Sequence, residues 1–403
     1  MIMVEHFNQP RDNDAVLGSS YCAPLGAVIL GGIAGVKRRL TSDDETVRIA
    51  ALKEAFKYGE SGLGVIIPAL QDESEQVQRI AYLLLRDRTE REAKRALNAY
   101  LPYHLFEDII THKAGQSIAI SPDGTRIAYL RGKTIRVRHI ETQEILYKIP
   151  KYPKAKEFLA LTNDVKIVVR VSNGASHVIE IWDQGELRHS LYGHQDIIRA
   201  IAIRPDGQIL ASGSQDSTIK LWHLETGKLI CTFSNQLTLG AHTDEIWSLA
   251  FSADGNTLVS SSRDGKIKLW DLRTRDRPRT LKSYANQVAM NPDGLTLAST
   301  NWQGQIQLWN LATHQVEHTL EGYYYAVNSL LFSRYGRILI SGGNDRAIKF
   351  WDVATGKQIQ TLTGHKEAVT CLAFCQNGQY LVSGSLDKTI KIWGCMNTDG
   401  GFC

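Results

Sequence analysis

The 403-residue sequence has only six cysteines, and they lack the spacing of a disulfide framework. Cys371 and Cys375 lie four positions apart on a predicted strand, where such residues are separated by about 13 Å. One zinc ion cannot bind both without a bulge, and no second pair of ligands lies nearby in the sequence. The cysteines therefore predict a reducing, cytoplasmic location and no metal site.

Long apolar runs and phosphate-binding loops are also missing. The apolar run 22–36 is shorter than the roughly 20 residues that span a bilayer, so a packed segment is favoured over membrane-surface contact. No GxxxxGK[ST] motif occurs, and the glycine-rich stretch 31–35 lacks the preceding strand of a dinucleotide fingerprint. The sequence thus indicates no cofactor.

Charge of one sign is not concentrated anywhere in the chain. The formal net charge is +4 and the isoelectric point is near 8.6, without the basic stripe typical of a nucleic-acid binder. The first residues also lack the basic region of a secretory signal. Nucleic acid is not an expected partner, and the cytoplasm is the expected location.

Residues 32–100 have apolar side chains at helical spacing, and residues 1–31 form an extension before them. The stretches DDETVRIAAL and DESEQVQRIAYLL each place acidic residues before an apolar face, and Val47 and Val77 are 30 residues apart. The two copies resemble HEAT-type helical repeats. Because two repeats cannot bury a full solenoid core, they are expected to dock on the rest of the chain or on a partner.

From about residue 105 to residue 403 the sequence consists of short runs in which apolar residues alternate with polar ones. Glycine, aspartate and asparagine separate these runs, which predicts strands and turns. Phrases such as IKLW and IKIW recur at intervals of 40, 48, 39, 42 and 42 residues, and Arg138 occupies the same slot 44 residues before the first tryptophan. These positions define seven units. Their tryptophans are Trp182, Trp222, Trp270, Trp309, Trp351 and Trp393.

The in-phase Gly-His pairs, Asp-Gly turns and Trp-Asp endings resemble the WD40 family. The resemblance implies a mainly β fold: a seven-bladed WD40 propeller, preceded by the small all-α HEAT-like module. The last unit stops after its third strand, so the stretch 106–111 is predicted to supply its outer strand. The combination is similar to short two-module proteins found especially in cyanobacteria.

Each complete unit contains serine, histidine and aspartate, the constituents of a nucleophilic triad. A catalytic triad occurs once and needs an exposed nucleophile, whereas this set recurs, so we interpret it as structural, with no catalytic residue. The WD40 resemblance implies a buried hydrogen-bonded set in three units: His194, Ser212, Asp216 and Trp222; His242, Ser260, Asp264 and Trp270; and His365, Ser383, Asp387 and Trp393.

The resemblance also implies that partners bind at one opening of the central channel. Two positions in each unit border that opening, and their tryptophans and arginines have the composition of interface hot spots. Packing between blades is the alternative for Trp247 and Trp302. The implied positions are Arg199, Trp247, Asn286, Asn328 and Thr370 on the first strands and Gln215, Arg263, Trp302, Asn344 and Leu386 before the turns, with Gln116 and Glu157 in the first two units.

These features predict a non-enzymatic scaffold or adaptor that binds one or more proteins through the propeller rim and the helical module. A chromophore- or small-ligand-handling protein is the alternative, because HEAT-like modules also occur in bilin lyases. It requires a deep pocket with a positioned acid, which the sequence does not reveal. Membrane-surface attachment through the N-terminal apolar run is a third hypothesis.

Overall fold

The structure of the protein, a computed structural model, divides the chain into two compact units between Leu105 and Phe106. The predictions for residues 1–31, Gln116 and Glu157 concern residues outside those that the structure describes. The described residues are 32–86, 88, 90–99, 107–113, 118–121, 125–131, 134–139, 142, 144–150, 159–161, 167–172, 177–274, 276–323, 325–375 and 380–394.

The first unit is helical, and its second and fourth helices begin where acidic and hydroxyl residues precede apolar ones. Asp44 caps the second helix, because its carboxylate accepts the backbone N–H of Thr46 at 2.8 Å. Among the described residues, no helix has both the length and the apolarity needed to cross a membrane. The helices are α1 (Gly32–Leu40), α2 (Glu45–Ala55), α3 (Gly59–Ile66), α4 (Glu75–Arg86) and α5 (Arg91–Ala99), with 3₁₀ turns at Phe56–Tyr58 and Pro68–Gln71.

A buried ion pair joins the two sequence copies in the helical unit. Arg48 of α2 is 5 % exposed and places Nη2 3.0 Å from Oδ1 of Asp72, which precedes α4. Its Nη1 donates to the carbonyl oxygens of Ser42 and Asp43 at 2.7 and 3.1 Å. Asp72 also accepts the N–H of Ser74 at 2.9 Å. The acidic stretches therefore both begin helices and compensate a buried arginine.

The described residues of the second unit form 28 strands in seven four-stranded antiparallel sheets. Six of these sheets each contain four consecutive strands. Their strands are β2–β5 (Ile118–Ile120, Arg126–Arg131, Thr134–His139, Ile145–Pro150), β6–β9 (Leu159–Leu161, Ile167–Ser172, Val178–Asp183, Glu186–Leu191), β10–β13 (Ile198–Ile203, Ile209–Ser214, Ile219–His223, Leu229–Phe233), β14–β17 (Ile246–Phe251, Thr257–Ser262, Lys266–Asp271, Arg279–Lys282), β18–β21 (Gln287–Met290, Thr296–Thr300, Ile306–Asn310, Gln315–Leu320) and β22–β25 (Val327–Phe332, Ile338–Gly343, Ile348–Asp352, Gln358–Leu362).

The remaining sheet combines strands from the two ends of this unit. It contains β26 (Val369–Cys375), β27 (Tyr380–Ser385) and β28 (Thr389–Gly394), and its fourth strand is β1 (Glu107–Lys113). Strand β1 runs antiparallel to β28, with Asp108 opposite Trp393 and Lys113 opposite Thr389. The innermost strand β2 contacts both β6 and β26, so the sheets form a closed ring.

The predicted fold class, a seven-bladed WD40 propeller behind an all-α HEAT-like module, requires correction. Only six blades are self-contained, each made of four consecutive strands, and the further sheet is a composite of the two ends of the unit. The helical region is also small, since its described α-helices have 8 to 12 residues. The structure is therefore a β-propeller with six self-contained blades and a composite closing sheet.

Turn chemistry and apolar packing explain why the blades form. The turns after the innermost strands place Gly207, Gly255 and Gly336 at φ values of 74°, 70° and 71°, a left-handed conformation that glycine adopts without strain. Between blades the core is apolar. Phe233 of β13, for example, packs on Trp270 of the next blade with ring centroids 4.6 Å apart.

Candidate functional site

Three blades contain serine, histidine and aspartate in the geometry of a hydrolytic triad. In the blade β10–β13, His194 Nε2 lies 2.7 Å from Ser212 Oγ, and His194 Nδ1 lies 2.9 Å from Asp216 Oδ2. The distances are similar for His242 and for His365 with their serine and aspartate partners. The predicted sets are thus brought together in all three blades.

The serine hydroxyl of each set is hydrogen-bonded and buried. Ser212, Ser260 and Ser383 are fully buried, and each Oγ accepts the indole N–H of a tryptophan at 2.8 to 2.9 Å. Because a carboxylate only accepts, the histidine Nδ1–H donates to it and Nε2 accepts the serine hydroxyl. One neutral histidine tautomer therefore satisfies the whole set, and no substrate can reach these hydroxyl groups.

Electrostatics agree with this arrangement. Burial alone would raise the pKa of Asp216, but its hydrogen bond and Coulombic interaction with His194, followed by the hydrogen bond from the Thr218 hydroxyl, hold that pKa below its usual value. The same balance holds for Asp387, whose pKa is lowered to about 2 against burial by Thr389, Lys366 and His365. Burial lowers the pKa of His242, which favours its neutral form.

Two blades replace the histidine by tyrosine, with different results. In β22–β25, Tyr323 Oη lies 2.8 Å from Ser341 Oγ, which also accepts the Trp351 indole N–H at 2.7 Å. In β18–β21, Ser299 accepts from Trp309 at 2.9 Å, whereas Tyr284 is exposed. Tyr323 thus takes over the histidine's structural role, and Tyr284 is released to the surface.

Replacing Asp216 by alanine tests the structural interpretation. The change removes the carboxylate that accepts the His194 Nδ1–H and the Gln195 N–H, each at 2.9 Å, and leaves the ring only the Thr218 hydroxyl at 3.2 Å. We expect it to lower the free energy of unfolding by about 1–3 kcal/mol at neutral pH. The folded-state pKa of Asp216 is depressed, so its stabilisation is present above the usual value of 3.8 and is lost as pH falls below it. Denaturant unfolding of the wild type and the variant at pH 7 and pH 2.5 measures both effects, because the difference in stability should shrink at the lower pH. Ester hydrolysis that disappears in the variant at unchanged stability would contradict the structural role.

Four of the five described positions that were predicted on the innermost strands sit at β-bulges. The register of β10 with β11 shifts between Ile198 and Ala200, which makes Arg199 the extra residue. The same shift occurs at Trp247, Asn328 and Thr370 in the blades that follow. A bulge leaves one residue outside the ladder and turns its side chain, so these four side chains share a position at the same end of the ring.

Backbone hydrogen bonds tie the second set of positions to the first. The N–H groups of Gln215 and Arg263 donate to the carbonyl oxygens of Ile197 and Glu245, each two residues before a bulge, at 2.9 Å. Asn344 and Leu386 repeat this bond in their own blades at 3.0 Å. The turn between the second and third strands therefore lies beside the start of the innermost strand.

A cluster of six residues forms where three blades meet, and we call it the rim cluster: Arg199, Gln215, Glu245, Trp247, Arg263 and Trp302. Glu245 is its centre. Its carboxylate lies 3.7 Å from Arg199 Nη2 and 3.3 Å from Arg263 Nη1 and accepts the Trp247 indole N–H at 3.4 Å. A hydrogen bond from Gln215, outweighing partial burial, and the contacts with Trp247, Arg199 and Arg263 lower the pKa of Glu245.

The two tryptophans of the rim cluster contact each other across a blade boundary. Their ring centroids are 5.3 Å apart at an interplanar angle of 86°, an edge-to-face arrangement. Trp247 is half-buried, whereas Trp302 is 60 % exposed. Packing between blades therefore explains the buried part of the Trp247 side chain, whereas most of the Trp302 side chain faces solvent.

The other predicted positions have more varied surroundings. Asn286 is buried, since its amide donates to Val327 O at 3.2 Å and accepts from Thr300 Oγ1 at 2.7 Å. Asn328 donates to Asn344 Oδ1 and Val369 O at 2.8 and 2.9 Å. Thr370 donates to Gly384 O at 3.1 Å, and Leu386 is exposed. Asn286 thus joins two blades and is buried. Asn328 and Thr370 are partly exposed, and Leu386 is exposed.

Glu245 is the member of the rim cluster that sequence reasoning missed. Two residues before each bulge or rim position, the third to seventh units have isoleucine, glutamate, tyrosine, alanine and alanine. The single charged residue in that slot lies one strand period from Trp247 and thus on the same side of the strand. This comparison could have identified it.

A cavity in the propeller is the alternative to the rim cluster as a candidate site. Within the described residues, no grouping of His, Cys, Asp or Glu could hold a metal ion. A cavity of about 480 Å³ lies between β2, β6 and β10, and the described part of its lining is mostly apolar, including Ala119, Leu161, Ile201 and Pro205, with no acidic side chain. It does not provide the positioned acid that a ligand-handling site requires.

Comparison with known proteins places WD40 repeats in the chain. The family described as WD domain, G-beta repeat matches residues 185–223, 233–271, 314–352 and 356–394. The β-propeller and its WD40 repeats are thereby confirmed. The matched segments hold the three histidine sets and the Tyr323 blade, and the blade that exposes Tyr284 is not among them.

The alignments with two curated relatives each cover about one repeat of the chain. A protein named Ribosome biogenesis protein BOP1 homolog from Drosophila virilis is 45 % identical over 40 residues, which is 10 % of this chain and 5 % of that protein. The homolog of the same name from Drosophila persimilis is 41 % identical over 44 residues, 11 % of this chain and 6 % of that protein. The chain therefore spans about a twentieth of these relatives, and the likeness concerns the repeat.

Proposed function

We propose that the protein is a non-enzymatic scaffold that binds one or more partner proteins through the propeller rim. The observation that carries this proposal is the rim cluster, in which an exposed tryptophan stands edge-on to a second one beside two arginines. Tryptophan and arginine dominate the energetics of protein interfaces because they bury large areas and donate several hydrogen bonds. Trp302 supplies such an area without rearrangement of the fold.

The distribution of exposed apolar side chains supports the same end of the ring. Among the described residues fifteen large apolar side chains are exposed, and seven of them lie in loops that enter innermost strands or in turns between second and third strands. Only Leu295 and Tyr335 lie in the turns at the opposite ends of the innermost strands. The seven are Tyr192, Leu237, Leu239, Tyr284, Trp302, Tyr325 and Leu386.

An enzymatic function is disfavoured because the triad-like sets are buried and fully paired. The small-ligand alternative has less support than the scaffold, since the described cavity lacks an acid and lies in the propeller. The HEAT-like helices remain a second candidate interaction surface in this proposal, and the cytoplasm remains the proposed location. The alignments with ribosome biogenesis proteins cover one repeat, so they favour the fold and no particular assembly.

A photoreactive amino acid at position 302 tests the proposed face. Under irradiation in cells we expect the full-length protein to crosslink to a defined partner, whereas the same group at Leu295, equally exposed at the opposite end, should not capture it. The purified partner should then bind Trp302→Ala and Trp247→Ala more than about tenfold more weakly, a loss of about 1.4 kcal/mol or more.

Leu295→Ala is the matched control for this experiment, because it also removes an exposed apolar side chain. Its affinity should equal that of the wild type, and all three variants should keep the wild-type melting temperature. Undiminished partner affinity in Trp302→Ala, or unfolding of both tryptophan variants, would show that the tryptophans serve blade packing.

A further inference from the structure

The charges in the rim cluster do not balance. Arg199 and Arg263 share the single carboxylate of Glu245, and both distances, 3.7 and 3.3 Å, are long for a salt bridge that is also hydrogen-bonded. No other acidic side chain pairs with either arginine among the described residues. The cluster therefore carries an excess of one positive charge at the surface.

Both arginines also have unused donors. A guanidinium has five N–H groups in a fixed fork. Arg263 has one described hydrogen bond, from Nη1, and its side chain is 58 % exposed. The Arg199 side chain is 40 % exposed, and its Nη2 lies 3.7 Å from Glu245, too far for a hydrogen bond. A planar anion placed on the solvent side could be bound by both guanidinium groups.

We propose that the rim cluster is a carboxylate-binding site for a partner segment in which an aspartate or glutamate adjoins an aromatic residue. The inference rests on the proposed function and specifies the chemistry of the partner. The carboxylate would bridge Arg199 and Arg263, and the neighbouring aromatic ring would pack on the exposed face of Trp302. Arginine forks match carboxylates in two-point geometry, which makes this choice specific.

A basic segment fits the same surface poorly. The Glu245 carboxylate already accepts hydrogen bonds from Gln215, Trp247 and Arg263 and lies 3.7 Å from Arg199, so its negative charge is compensated within the cluster. An incoming lysine or arginine would also meet two guanidinium groups of its own sign. The hydrogen bonds that Glu245 already accepts, together with the two guanidinium groups, therefore favour an anion over a cation, although both could contact the tryptophans.

Peptide titration of the full-length protein, labelled with ¹⁵N at its tryptophan indoles, tests the site. The probe is the blocked peptide acetyl-Gly-Ser-Asp-Phe-Ser-Gly-amide, and Trp247→Phe and Trp302→Phe assign the two signals. We expect the indole signals of Trp302 and Trp247 to shift with saturation at millimolar concentration, while the buried Trp222 and Trp270 stay unchanged.

Three comparisons isolate the carboxylate. Replacing aspartate by asparagine in the peptide should weaken binding at least fivefold, and replacing it by lysine should abolish the shifts. Arg263→Ala should weaken binding of the acidic peptide to a similar degree. Arg273→Ala is the matched control, because Arg273 is an exposed arginine that pairs with Asp271 at 3.1 Å away from the rim cluster, and it should leave binding unchanged.

Equal binding of the aspartate and asparagine peptides, preferred binding of the lysine peptide, or no indole shift at 10-fold molar excess over about 1 mM protein would overturn the carboxylate site. A crosslink from position 302 to a partner segment without an acidic residue would also overturn it while the scaffold proposal stands. If position 302 captures no partner and the acidic peptide does not bind, both proposals fail.

Discussion

Replacing Trp270 by alanine is expected to lower the free energy of unfolding by about 3–5 kcal/mol. The side chain is 1 % exposed and packs on Phe233 of the preceding blade, so its removal leaves a cavity at a blade boundary. It also removes the indole donor to Ser260 Oγ at 2.8 Å. Denaturant unfolding followed by circular dichroism measures the loss.

Trp270→Phe separates packing from hydrogen bonding. Phenylalanine fills most of the volume but donates no hydrogen bond, so we expect this variant to lose about 1–3 kcal/mol, less than the alanine variant. The exposed Trp302→Ala should lose less than about 0.5 kcal/mol in the same assay. Equal losses for Trp270→Ala and Trp302→Ala would contradict the assignment of the first to the core and the second to the surface.

Removing residues 1–113 is expected to destabilise the propeller far more than removing residues 1–105. The longer deletion eliminates β1 and leaves the backbone of β28 as an unpaired edge, which is a template for association with other chains. We expect the melting temperature to fall by roughly 10 °C or more, since 1 kcal/mol corresponds to about 2–4 °C in a domain of comparable size. Sedimentation velocity should show aggregation only for the longer deletion.

A synthetic peptide of residues 105–115 provides the control for the two deletions. Added to the chain that lacks residues 1–113, it should restore the melting temperature and suppress aggregation, because it can reoccupy the edge of β28. A peptide of the same composition in scrambled order should do neither. Identical melting of the two truncated chains would show that β1 does not hold the ring closed.

The repeat architecture could be predicted from the sequence because its main contacts are local to one blade. His194, Ser212 and Trp222 lie within a single unit, with Trp222 ten and His194 eighteen residues from the serine. A pattern that is complete within about 40 residues recurs at a visible period. The predicted sets could therefore be named residue by residue.

The composition of the blades could be predicted in part. The early end of the last unit predicts an outer strand from residues 106–111, and β1 pairs with β28. The surroundings of individual side chains do not follow from the period. Tyr284 and Tyr323 occupy the same slot in the sequence, yet one is exposed and the other is hydrogen-bonded to Ser341. Propensity and period do not distinguish such cases, because the surroundings of each ring come from other strands.

By itself the sequence determined the WD40 period, the strand-and-turn pattern and the buried histidine sets, since each is written within one repeat and satisfied by backbone geometry and nearby side chains. The contacts of the rim cluster, and the place of Glu245 at its centre, come from the tertiary structure. Glu245 meets Arg199 and Gln215, and Trp247 meets Trp302, across blade boundaries. Contacts between blades depend on how adjacent sheets twist and pack, which the order of residues within a single repeat does not specify.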